Sequence, residues 1–428
     1  MADFDAIVVG SGCAGPAAAL ELARAGKSVL VVERGTFAGA KNVSGGRLYT
    51  HALRALLPDA AASAPLERRI VRERVSMLSG DSATTLDVTD ETMRDERHES
   101  WSVLRARFDP WLAEQAEAAG AEYITGIAVD SLLTDGSRVT GVRAGDDEIT
   151  ADVVLLCDGV NSLLAPAAVG AARPRPDQVA VGVKQVVALP EQVISDRAGC
   201  PDGEGMAWLF VGDATHGRVG GGFCYTNRDT ISVGIVATVS DLMDSGDVVT
   251  QLLDDFTHHP AVAPILRGGQ VVEHSGHLVA EGGYDAMPPL VGDGVLLAGE
   301  SAFMCLNAGY TVRGMDLALA AGQQAGRSAA VALAAGDTSA AGLAGYRAAL
   351  EDSFVLRDLR TLRRFPHFME STPRMFRDYP GLARDVMREL FVVDGTPMRR
   401  PSKAIGQIVR RAGYLGLAKD LVKGVRAL

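Results

Sequence analysis

The chain has 428 residues, of which 47% are hydrophobic and 22% charged, a composition typical of a globular protein with two or three domains. Its 53 acidic side chains outnumber the 42 Lys and Arg residues, which gives a formal net charge of −11 at pH 7. Since nucleic-acid affinity comes mainly from clustered basic side chains, this balance argues against a general nucleic-acid-binding protein.

A glycine pattern near the N-terminus is the first informative motif. An apolar run predicts a strand that breaks into Gly10-x-Gly12-x-x-Gly15, and Glu33 closes a second apolar run. In dinucleotide-binding folds the first glycine permits the turn, the second lets the backbone approach the pyrophosphate, and the third lets the helix pack closely. The helix predicted over Pro16–Arg24 would direct its N-terminus at the phosphates. Glu33 would accept hydrogen bonds from ribose hydroxyls and repel a 2′-phosphate.

Two later apolar runs also end in an acid beside a glycine. Asp158-Gly159 ends one and Gly299-Glu300 ends the other, and a helix predicted to begin near Thr311 follows. A simple nicotinamide dehydrogenase needs neither segment, whereas an extended FAD has a ribityl chain and a flavin ring far from the first glycine loop. A helix N-terminus at the pyrimidine edge would stabilise the negative charge of reduced flavin. The three segments in this order therefore predict FAD.

Motifs for other redox chemistry are missing from the sequence. No second Gly-x-Gly-x-x-Gly follows a mid-chain strand, which disfavours NAD(P)H as a direct donor. Gly220–Gly222 precedes an alternating segment and is interpreted as a turn between antiparallel strands. The five cysteines are scattered without a C-x-x-C, so we expect them to be reduced and buried, and we predict no metal site.

Longer motifs give the chain a family resemblance over essentially its whole length. KNVSGGRLY at 41–49, GGGFCYTN at 220–227, RGMD at 313–316 and the closing GLAKDLVKGV resemble FixC-type flavoproteins. These are related to electron-transfer-flavoprotein:ubiquinone oxidoreductase and, more distantly, to geranylgeranyl reductases. The resemblance implies non-covalent FAD, electrons arriving from an electron-transfer flavoprotein, and electrons leaving toward quinone or a ferredoxin-like partner. The cofactor-binding residues expected from the motifs and the resemblance together are Gly10, Gly12, Cys13, Ala14, Gly15, Glu33, Arg34, Gly45, Gly46, Arg47, Arg105, Val129, Asp158, Gly159, Gly299, Glu300, Gly309, Tyr310 and Thr311.

One position departs from the pattern of that family. The third segment of such flavoproteins normally ends Gly-Asp, whereas this chain has Gly299-Glu300. Glutamate keeps the charge and the acceptor oxygens but adds a methylene, so a hydrogen bond to the ribityl chain would need a shifted side chain or backbone. We expect FAD binding to be retained, with altered geometry or affinity.

The expected fold class is α/β, with a glutathione-reductase-like FAD-binding Rossmann domain interleaved with an antiparallel-sheet domain and followed by a helical C-terminal region. Leu317–Ala335, the longest apolar candidate, contains polar residues and is predicted to be a buried helix rather than a membrane span. With no signal peptide recognised, a cytoplasmic protein is expected. The predicted boundaries are 1–75, 100–170 and 282–340 for the FAD-binding domain, 76–99 and 171–281 for the antiparallel domain on the substrate or quinone side, and 341–428 for the helical region.

The C-terminal segment is basic in an otherwise acidic chain. Residues 399–428 contain eight Lys and Arg residues and one acid, Asp420, among recurring apolar residues. One interpretation is an ordinary solvated helical face. The other is a docking surface for an acidic ferredoxin-like partner or for anionic lipid, which leaves peripheral membrane contact open. No cysteine follows Cys305, so any iron–sulfur cluster that takes part is expected on another polypeptide.

Two functional hypotheses follow, and neither assigns a catalytic residue. In the first, the chain passes electrons from an electron-transfer flavoprotein to a ferredoxin-like protein or quinone. In the second, the same fold is a stand-alone FAD-dependent oxidase, dehydrogenase or reductase acting on a small organic substrate. Electron transfer needs flavin placement rather than a protein acid, and the eight histidines show no metal-binding spacing. Glu281, Tyr284 and Tyr310 are candidates to face the flavin ring.

Overall fold

The computed structural model of this protein describes residues 2–42, 46–59 and 61–428. Its strands are β1 (Phe4–Val9), β2 (Val29–Glu33), β3 (Gly46–Tyr49), β4 (Leu66–Ser79), β5 (Ser82–Thr89), β6 (Ser100–Val103), β7 (Glu122–Thr125), β8 (Ser131–Asp135), β9 (Arg138–Ala144), β10 (Asp147–Leu156), β11 (Val179–Ala188), β12 (Glu204–Gly212), β13 (Gly220–Thr226), β14 (Thr230–Thr238), β15 (Gln270–Ala280), β16 (Val291–Gly292), β17 (Val295–Leu297), β18 (Leu306–Asn307) and β19 (Val312–Arg313).

Helices connect many of these strands and form most of the chain after the last strand. They are α1 (Ala14–Arg24), α2 (His51–Leu56), α3 (Arg105–Ala118), α4 (Ala165–Val169), α5 (Glu191–Ala198), α6 (Val239–Ser245), α7 (Val249–His258), α8 (Ala263–Leu266), α9 (Met315–Ala335), α10 (Gly345–Asp352), α11 (Phe354–Thr361), α12 (Phe365–Glu370), α13 (Arg374–Arg377), α14 (Tyr379–Phe391), α15 (Pro401–Ala412) and α16 (Tyr414–Ala427).

The chain divides into two compact units, each assembled from three separate stretches of sequence. The sequence placed residues 341–428 in a helical region of their own. In the structure, the part of that region up to Thr361 is grouped with unit 1 and the part from Leu362 onward with unit 2. Unit 1 comprises Met1–Glu67, Asp95–Gln178 and Leu278–Thr361, and unit 2 comprises Arg68–Arg94, Val179–His277 and Leu362–Leu428.

Unit 1 is organised around a largely parallel sheet. Its strands follow the order β16, β17, β10, β1, β2, β7, and the last five of these run parallel to one another. Val9 of β1 lies opposite Leu156 of β10 on one side and Val32 of β2 on the other. The carboxyl ends of these three strands therefore meet at one edge, which is where ligands bind in open α/β sheets.

Helices α1 and α9 pack closely in unit 1 because both carry small residues at their contact. A Cβ added at Gly322 of α9 would lie within 3 Å of the Ala14 carbonyl oxygen, and one at Gly326 within 3 Å of the Ala18 carbonyl oxygen. The predicted buried helix at Leu317–Ala335 is confirmed by α9. It begins one turn later than the predicted start near Thr311, because β19 first pairs with β18.

Unit 2 contains a mostly antiparallel sheet in the order β15, β11, β14, β13, β12, β4, with β5 paired to β4. Pairs β11–β14, β13–β14 and β12–β13 are antiparallel, whereas β12 and β4 run parallel. The core of this unit includes Trp208, Phe210 and Phe256, whose ring centroids lie 4.6 and 4.9 Å apart in successive pairs. These aromatic side chains seat the sheet on helix α7.

The turn predicted at Gly220–Gly222 is wrong. These residues open β13, which pairs with both β12 and β14. A Cβ at Gly221 would lie within 3 Å of the Phe210 carbonyl oxygen, and one at Gly222 within 3 Å of the Phe256 ring. Glycine is present here because neighbouring backbone and an aromatic ring approach closely, a requirement that looks the same as a turn signal in the sequence.

The last two helices of unit 2, α15 and α16, expose several apolar side chains. Leu415, Leu421 and Val425 have 89%, 69% and 68% of their surface exposed. Within the described ranges, none of the helices combines the length and hydrophobicity needed to cross a bilayer.

The contact between α1 and α9 gives a direct test of this packing. Gly322→Ala should lower the free energy of unfolding by about 1–3 kcal/mol, since the new methyl group would meet backbone rather than a movable side chain. Gly345→Ala is the matched control: its Cβ would enter open space at the start of α10, so stability should be unchanged or rise by roughly 0.5–1 kcal/mol. Urea denaturation of both variants measures the difference, and equal stability would contradict the packing described.

Candidate cofactor site

The glycine loop between β1 and α1 can be built only from glycine at two positions. Gly10 has φ +98°, and its Cβ would lie within 3 Å of the Cys157 carbonyl oxygen at the end of β10. A Cβ at Gly15 would lie within 3 Å of the Gly10 carbonyl oxygen. The loop therefore has the tight turn and the close helix approach that the motif predicts. Cys13 and Ala14, at the N-terminus of α1, are buried and add no side-chain cap to its free N–H groups.

Glu33 ties the end of β2 to this loop. One carboxylate oxygen accepts the Ser11 N–H at 2.7 Å and the other accepts the Gly35 N–H at 2.6 Å, and the residue is 7% exposed. Each oxygen retains a second lone pair. The arrangement holds the carboxylate rigidly while leaving it able to accept further hydrogen bonds, which suits recognition of hydroxyl groups.

Arg34 and Val129 lie around the end of β2. Arg34 is exposed, and its charge acts on Asp158 at the end of the neighbouring part of the sheet. Val129 lies in the segment after β7, which is held beside β2 by the Ile127 N–H donating to the Glu33 carbonyl oxygen at 3.2 Å. Both residues are therefore near the same strand end as Glu33.

Asp158 follows β10 and carries a buried oxygen atom without a partner among the described residues. Its Oδ1 is enclosed and makes no hydrogen bond to any part of the chain that the structure describes. Burial raises the pKa of Asp158 to about 6, against the opposing effects of Ser162, of its own backbone and of Arg34. An enclosed acceptor of this kind costs free energy unless a ligand or water donates to it. Gly159, next in the chain, has φ +83°.

A short 3₁₀ turn at Gly299–Ala302 follows β17 and completes this edge of the sheet. Gly299 has φ +72°, and its Cβ would lie 3.1 Å from the Ala14 Cβ. Ser301 Oγ donates to the Leu156 carbonyl oxygen at 2.7 Å, which fastens the turn to β10. Glu300 is partly exposed, and its charge acts on both Cys13 and Arg105. The structure thus brings Glu300 to the glycine loop.

Arg105 begins α3 and reaches the open side of the glycine loop. A Cβ at Gly12 would lie 3.5 Å from Arg105 Nη2, so the absence of a side chain at Gly12 leaves a cradle beside the guanidinium. Burial lowers the pKa of Arg105, but the negative charge of Asp109 and further nearby groups outweighs burial and leaves its pKa above the usual value. A permanent positive charge therefore faces the loop.

A second group of predicted residues lies around β3 and the β18–β19 hairpin. Arg47 donates from Nε to Ser100 Oγ at 2.8 Å, and its guanidinium lies 4.6 Å from the Tyr49 ring centroid. Tyr49 hydroxyl bonds Thr311 Oγ1. Gly46 approaches Met315 at the start of α9, since its Cβ would lie 3.9 Å from the Met315 sulfur.

The remaining predicted residues of this group occupy the hairpin turn or fall outside the description. Gly309 has φ +74° and donates its N–H to Asn307 Oδ1 at 2.9 Å. Tyr310 is 56% exposed at the tip. Gly45 lies outside the described residues. Of the ring-facing candidates, Glu281 accepts from Asn307 Nδ2 at 3.2 Å, and Tyr284 hydroxyl accepts from Arg360 at 3.2 Å.

An ion-pair network that the sequence reasoning missed lies at the start of α9. Asp316, whose side chain is 1% exposed, accepts from Arg313 Nη2 at 2.6 Å and lies 3.3 Å from His51 Nε2. Arg313 also pairs with Asp358 at 2.5 Å. Burial tends to raise the pKa of Asp316, but hydrogen bonding to His51 and the charge of Arg313 lower it overall. The Arg-x-x-Asp spacing could have indicated the ion pair between Arg313 and Asp316, whereas no sequence pattern indicated the contact between Asp316 and His51 of α2.

The cysteines behave as packing residues. All five are free and buried, as expected. Burial raises the pKa of Cys13 to about 12 and that of Cys224 to about 12, so neither is a ready thiolate. Within the described ranges, no group of three His, Cys, Asp or Glu side chains could hold a metal ion.

The arrangement is fitted to a dinucleotide with a pyrophosphate and several hydroxyl groups. Helix α1 and Arg105 offer positive charge and N–H donors at the glycine loop, where Gly12 leaves room for a ligand. Glu33 and the unpaired oxygen of Asp158 offer acceptors at the neighbouring strand ends. These features fit FAD, since anionic and hydroxyl-bearing parts of the cofactor each meet groups of the required kind.

Comparisons with known proteins agree with this chemistry. Residues 5–193 match the FAD dependent oxidoreductase family, and residues 365–428 match the C-terminal domain of the ETF-QO/FixC family. Among solved structures, a geranylgeranyl bacteriochlorophyll reductase-like protein from Thermoplasma acidophilum has a TM-score of 0.73 at 19% identity, covering 98% of this chain and 99% of its own. The flavin-dependent brominase Bmp2 has a TM-score of 0.63 at 17% identity, covering 96% and 99%. These two likenesses confirm the fold.

Relatives of known name match over nearly the full length. Protein FixC of Escherichia coli (strain K12) is 50% identical over 427 residues, covering 99% of each chain. The probable electron transfer flavoprotein-quinone oxidoreductase YdiS of the same strain is 48% identical over 425 residues, also covering 99% of each. The predictions of an α/β flavoprotein fold, of FAD and of the FixC resemblance are confirmed. The chain belongs to the FixC family of FAD-dependent oxidoreductases.

Proposed function

We propose that this chain takes electrons from an electron-transfer flavoprotein and passes them, through FAD, to quinone or to a ferredoxin-like protein. The observation that carries the proposal is the 48% identity, over 99% of both chains, to a relative named as a probable electron transfer flavoprotein-quinone oxidoreductase. The geometry supports it, because the glycine loop and the ends of β2, β10 and β17 meet at one edge of the sheet in unit 1, where ligands bind in open α/β sheets.

The phosphate side of this site depends on positive charge. The N-terminus of α1, including the backbone of Cys13 and Ala14, would donate N–H groups to the pyrophosphate. Arg105 would add a guanidinium from the other side of Gly12. Gly10 and Gly15 hold the backbone in the shape that permits this approach.

Carboxylates would accept hydrogen bonds from the hydroxyl groups of the cofactor. Glu33 would accept from the adenosine ribose, with Arg34 and Val129 beside the adenine. Asp158 and Glu300, with Gly159 and Gly299 shaping the turns, would accept from the ribityl hydroxyls. The charge of Glu300 acts on Arg105 at the glycine loop, and its carboxylate extends one methylene further from the backbone than that of aspartate.

The electron-transfer end lies at β3 and the β18–β19 hairpin. Bound FAD supplies a redox centre that can accept a pair of electrons and release them singly. Gly46 and Arg47 would border the flavin ring, and Gly309, Tyr310 and Thr311 would close the other side. Tyr49 fixes the Thr311 hydroxyl, and helix α9 directs its N-terminus to this region.

The donor is tested by anaerobic stopped-flow spectroscopy of the FAD-loaded protein. Mixing with reduced electron-transfer flavoprotein should bleach the oxidised flavin absorbance rapidly, whereas NADH should reduce it slowly or not at all. Rapid reduction by NADH, together with failure of the flavoprotein donor, would overturn the proposal. It would favour the second hypothesis, a stand-alone flavoenzyme with a small organic substrate.

The pKa of Asp158 predicts how cofactor affinity changes with pH. A hydroxyl donating to its unpaired oxygen stabilises the carboxylate, so the pKa falls below about 6 when FAD binds. The complex then holds fewer protons than the free protein, and FAD affinity should rise between about pH 5 and pH 7. Fluorescence titration of the apoprotein should show this rise in the wild type and a flatter profile in Asp158→Asn. Exposed Asp147→Asn serves as the control; identical profiles for all three proteins would contradict the role of Asp158.

The basic C-terminal surface is proposed as the docking site for an acidic ferredoxin-like acceptor. We define it by the exposed basic side chains Arg399, Arg400, Lys403, Arg410, Arg411, Lys419 and Arg426. The one acid of the segment, Asp420, is turned inward, where it accepts from Tyr379 hydroxyl at 2.5 Å and pairs with Arg374 at 3.5 Å. Arg399 is paired with Glu389 at 2.6 Å, and the other basic side chains leave the outward charge of the segment positive, which favours an acidic partner.

Charge reversal tests this docking surface. Arg410→Glu with Arg411→Glu should weaken binding of the acidic ferredoxin-like protein by about tenfold or more, most clearly at low salt, while FAD content stays unchanged. Arg173→Glu with Arg267→Glu, at exposed positions elsewhere, is the matched control. Unaltered binding would remove the proposal. Loss of binding to anionic vesicles instead would assign the surface to lipid.

A further inference from the structure

Asp109 is a buried carboxylate beside the cofactor site to which the preceding proposals give no role. It lies on the second turn of α3 and is 0% exposed. Its two oxygens bind opposite atoms of one guanidinium: Arg105 Nε donates to Oδ1 at 2.7 Å and Arg105 Nη2 donates to Oδ2 at 2.7 Å. Asn42 Nδ2 donates to Oδ2 as well. The carboxylate is therefore fully engaged on one side of Arg105.

The surroundings are built to hold this carboxylate in one place. A Cβ at Gly39, which has φ +82°, would lie within 3 Å of the Asp109 side chain, so the backbone after β2 closes directly over it. Cys13 Sγ lies 4.0 Å from Oδ1. A buried carboxylate is costly unless it is paired and hydrogen-bonded, and a bidentate pair with arginine supplies both charge and geometry.

The pairing decides which way Arg105 faces. Asp109 occupies Nε and Nη2, while Nη1 makes no hydrogen bond to any described residue. The side chain of Arg105 keeps 18% of its surface exposed, and Nη2 lies on the open side of Gly12. A planar guanidinium bound at both Nε and Nη2 is held in one orientation, so the second N–H of Nη2, which Asp109 does not use, stays beside Gly12.

We propose that Asp109 is a positioning residue for the cofactor: it does not touch FAD but fixes Arg105 so that the N–H groups Asp109 leaves unused meet the pyrophosphate. The inference rests on the proposed role of Arg105. It assigns the affinity effect of Asp109 entirely to phosphate recognition, with no effect on binding of the nucleoside part.

Asp109→Asn is a suitable perturbation because it keeps the size of the side chain. The amide keeps one acceptor oxygen but presents an NH2 group in place of the other, so the bidentate pair with the guanidinium is lost. Arg105→Lys keeps a positive charge beside Asp109 but removes the fork. Arg105→Lys leaves the Asp109 carboxylate beside a positive charge, whereas Asp109→Asn leaves the partly exposed Arg105 guanidinium without its carboxylate, so the two variants perturb the pair from opposite sides.

The test is a double-mutant cycle on FAD affinity of the apoprotein, measured by flavin fluorescence. Asp109→Asn and Arg105→Lys should each raise the Kd about tenfold, which is the loss of one charge-assisted hydrogen-bond pair, and the double variant should be no worse than Arg105→Lys alone. Competition against FAD supplies a second readout: ADP should lose affinity in Asp109→Asn, whereas adenosine should not. Glu351→Gln, which breaks the exposed i,i+4 pair with Arg347 in the same unit, should change none of these values.

The outcomes separate the two ideas. If Arg105→Lys leaves FAD and ADP affinity unchanged, the proposed role of Arg105 fails. If Arg105→Lys weakens binding but Asp109→Asn does not, or if the double variant shows the product of the two single effects, the positioning role of Asp109 is wrong. Equal losses for ADP and adenosine would also overturn it, because they indicate general damage to the fold. Should Asp109→Asn fail to fold, Asp109→Glu, which keeps the charge but displaces it, should give the same ADP-specific loss.

Discussion

The site in unit 1 depends on backbone approaching backbone at glycine. Gly10 brings the first loop against the carbonyl group of Cys157, Gly15 brings α1 against the loop, and Gly322 brings α9 against Ala14. Each contact leaves no room for a side chain. Together they draw the N-terminus of α1, the end of β10 and the turn after β17 to one point, so charges supplied by distant parts of the sequence lie at the same edge of the sheet.

Opposite charges lie at different points along this edge, each beside the part of the cofactor that it would bind. The N–H groups of α1 and the guanidinium of Arg105 face the glycine loop, while the carboxylates of Glu33 and Asp158 stand at the strand ends. The carboxylates differ in how they are satisfied: Glu33 is held by two backbone N–H groups, whereas Asp158 keeps an unpaired oxygen and a raised pKa. Glu33 is therefore a rigid acceptor, whereas the enclosed oxygen of Asp158 would gain free energy when a ligand donates a hydrogen bond to it.

Sequence pattern was enough to predict the features that depend on residues close together in the chain. The strands, the glycine loop, Glu33 and the strand-end acids were readable because each follows an apolar run at a fixed spacing, and the family motifs extended this to FAD. The Gly220–Gly222 segment was misread because close packing and turns both require glycine. Asp109 was missed for another reason: its i,i+4 spacing from Arg105 was visible, but the closure of Gly39 and Asn42 over it joins residues about 70 positions apart.

The charge of the C-terminal surface depends on the orientation of Asp420, the one acid of that segment. The chain as a whole is strongly acidic, and a basic segment could neutralise itself through local ion pairs. Here Asp420 is committed to Tyr379 and Arg374 inside unit 2, and Arg399 is paired with Glu389 at 2.6 Å, but Arg410 and Arg411 on α15 face solvent. Neighbouring apolar side chains on α16, led by Leu415, are also left in water. This positive charge complements the acidic partner proposed for the surface, and the exposed apolar side chains beside it are area that such an interface would bury.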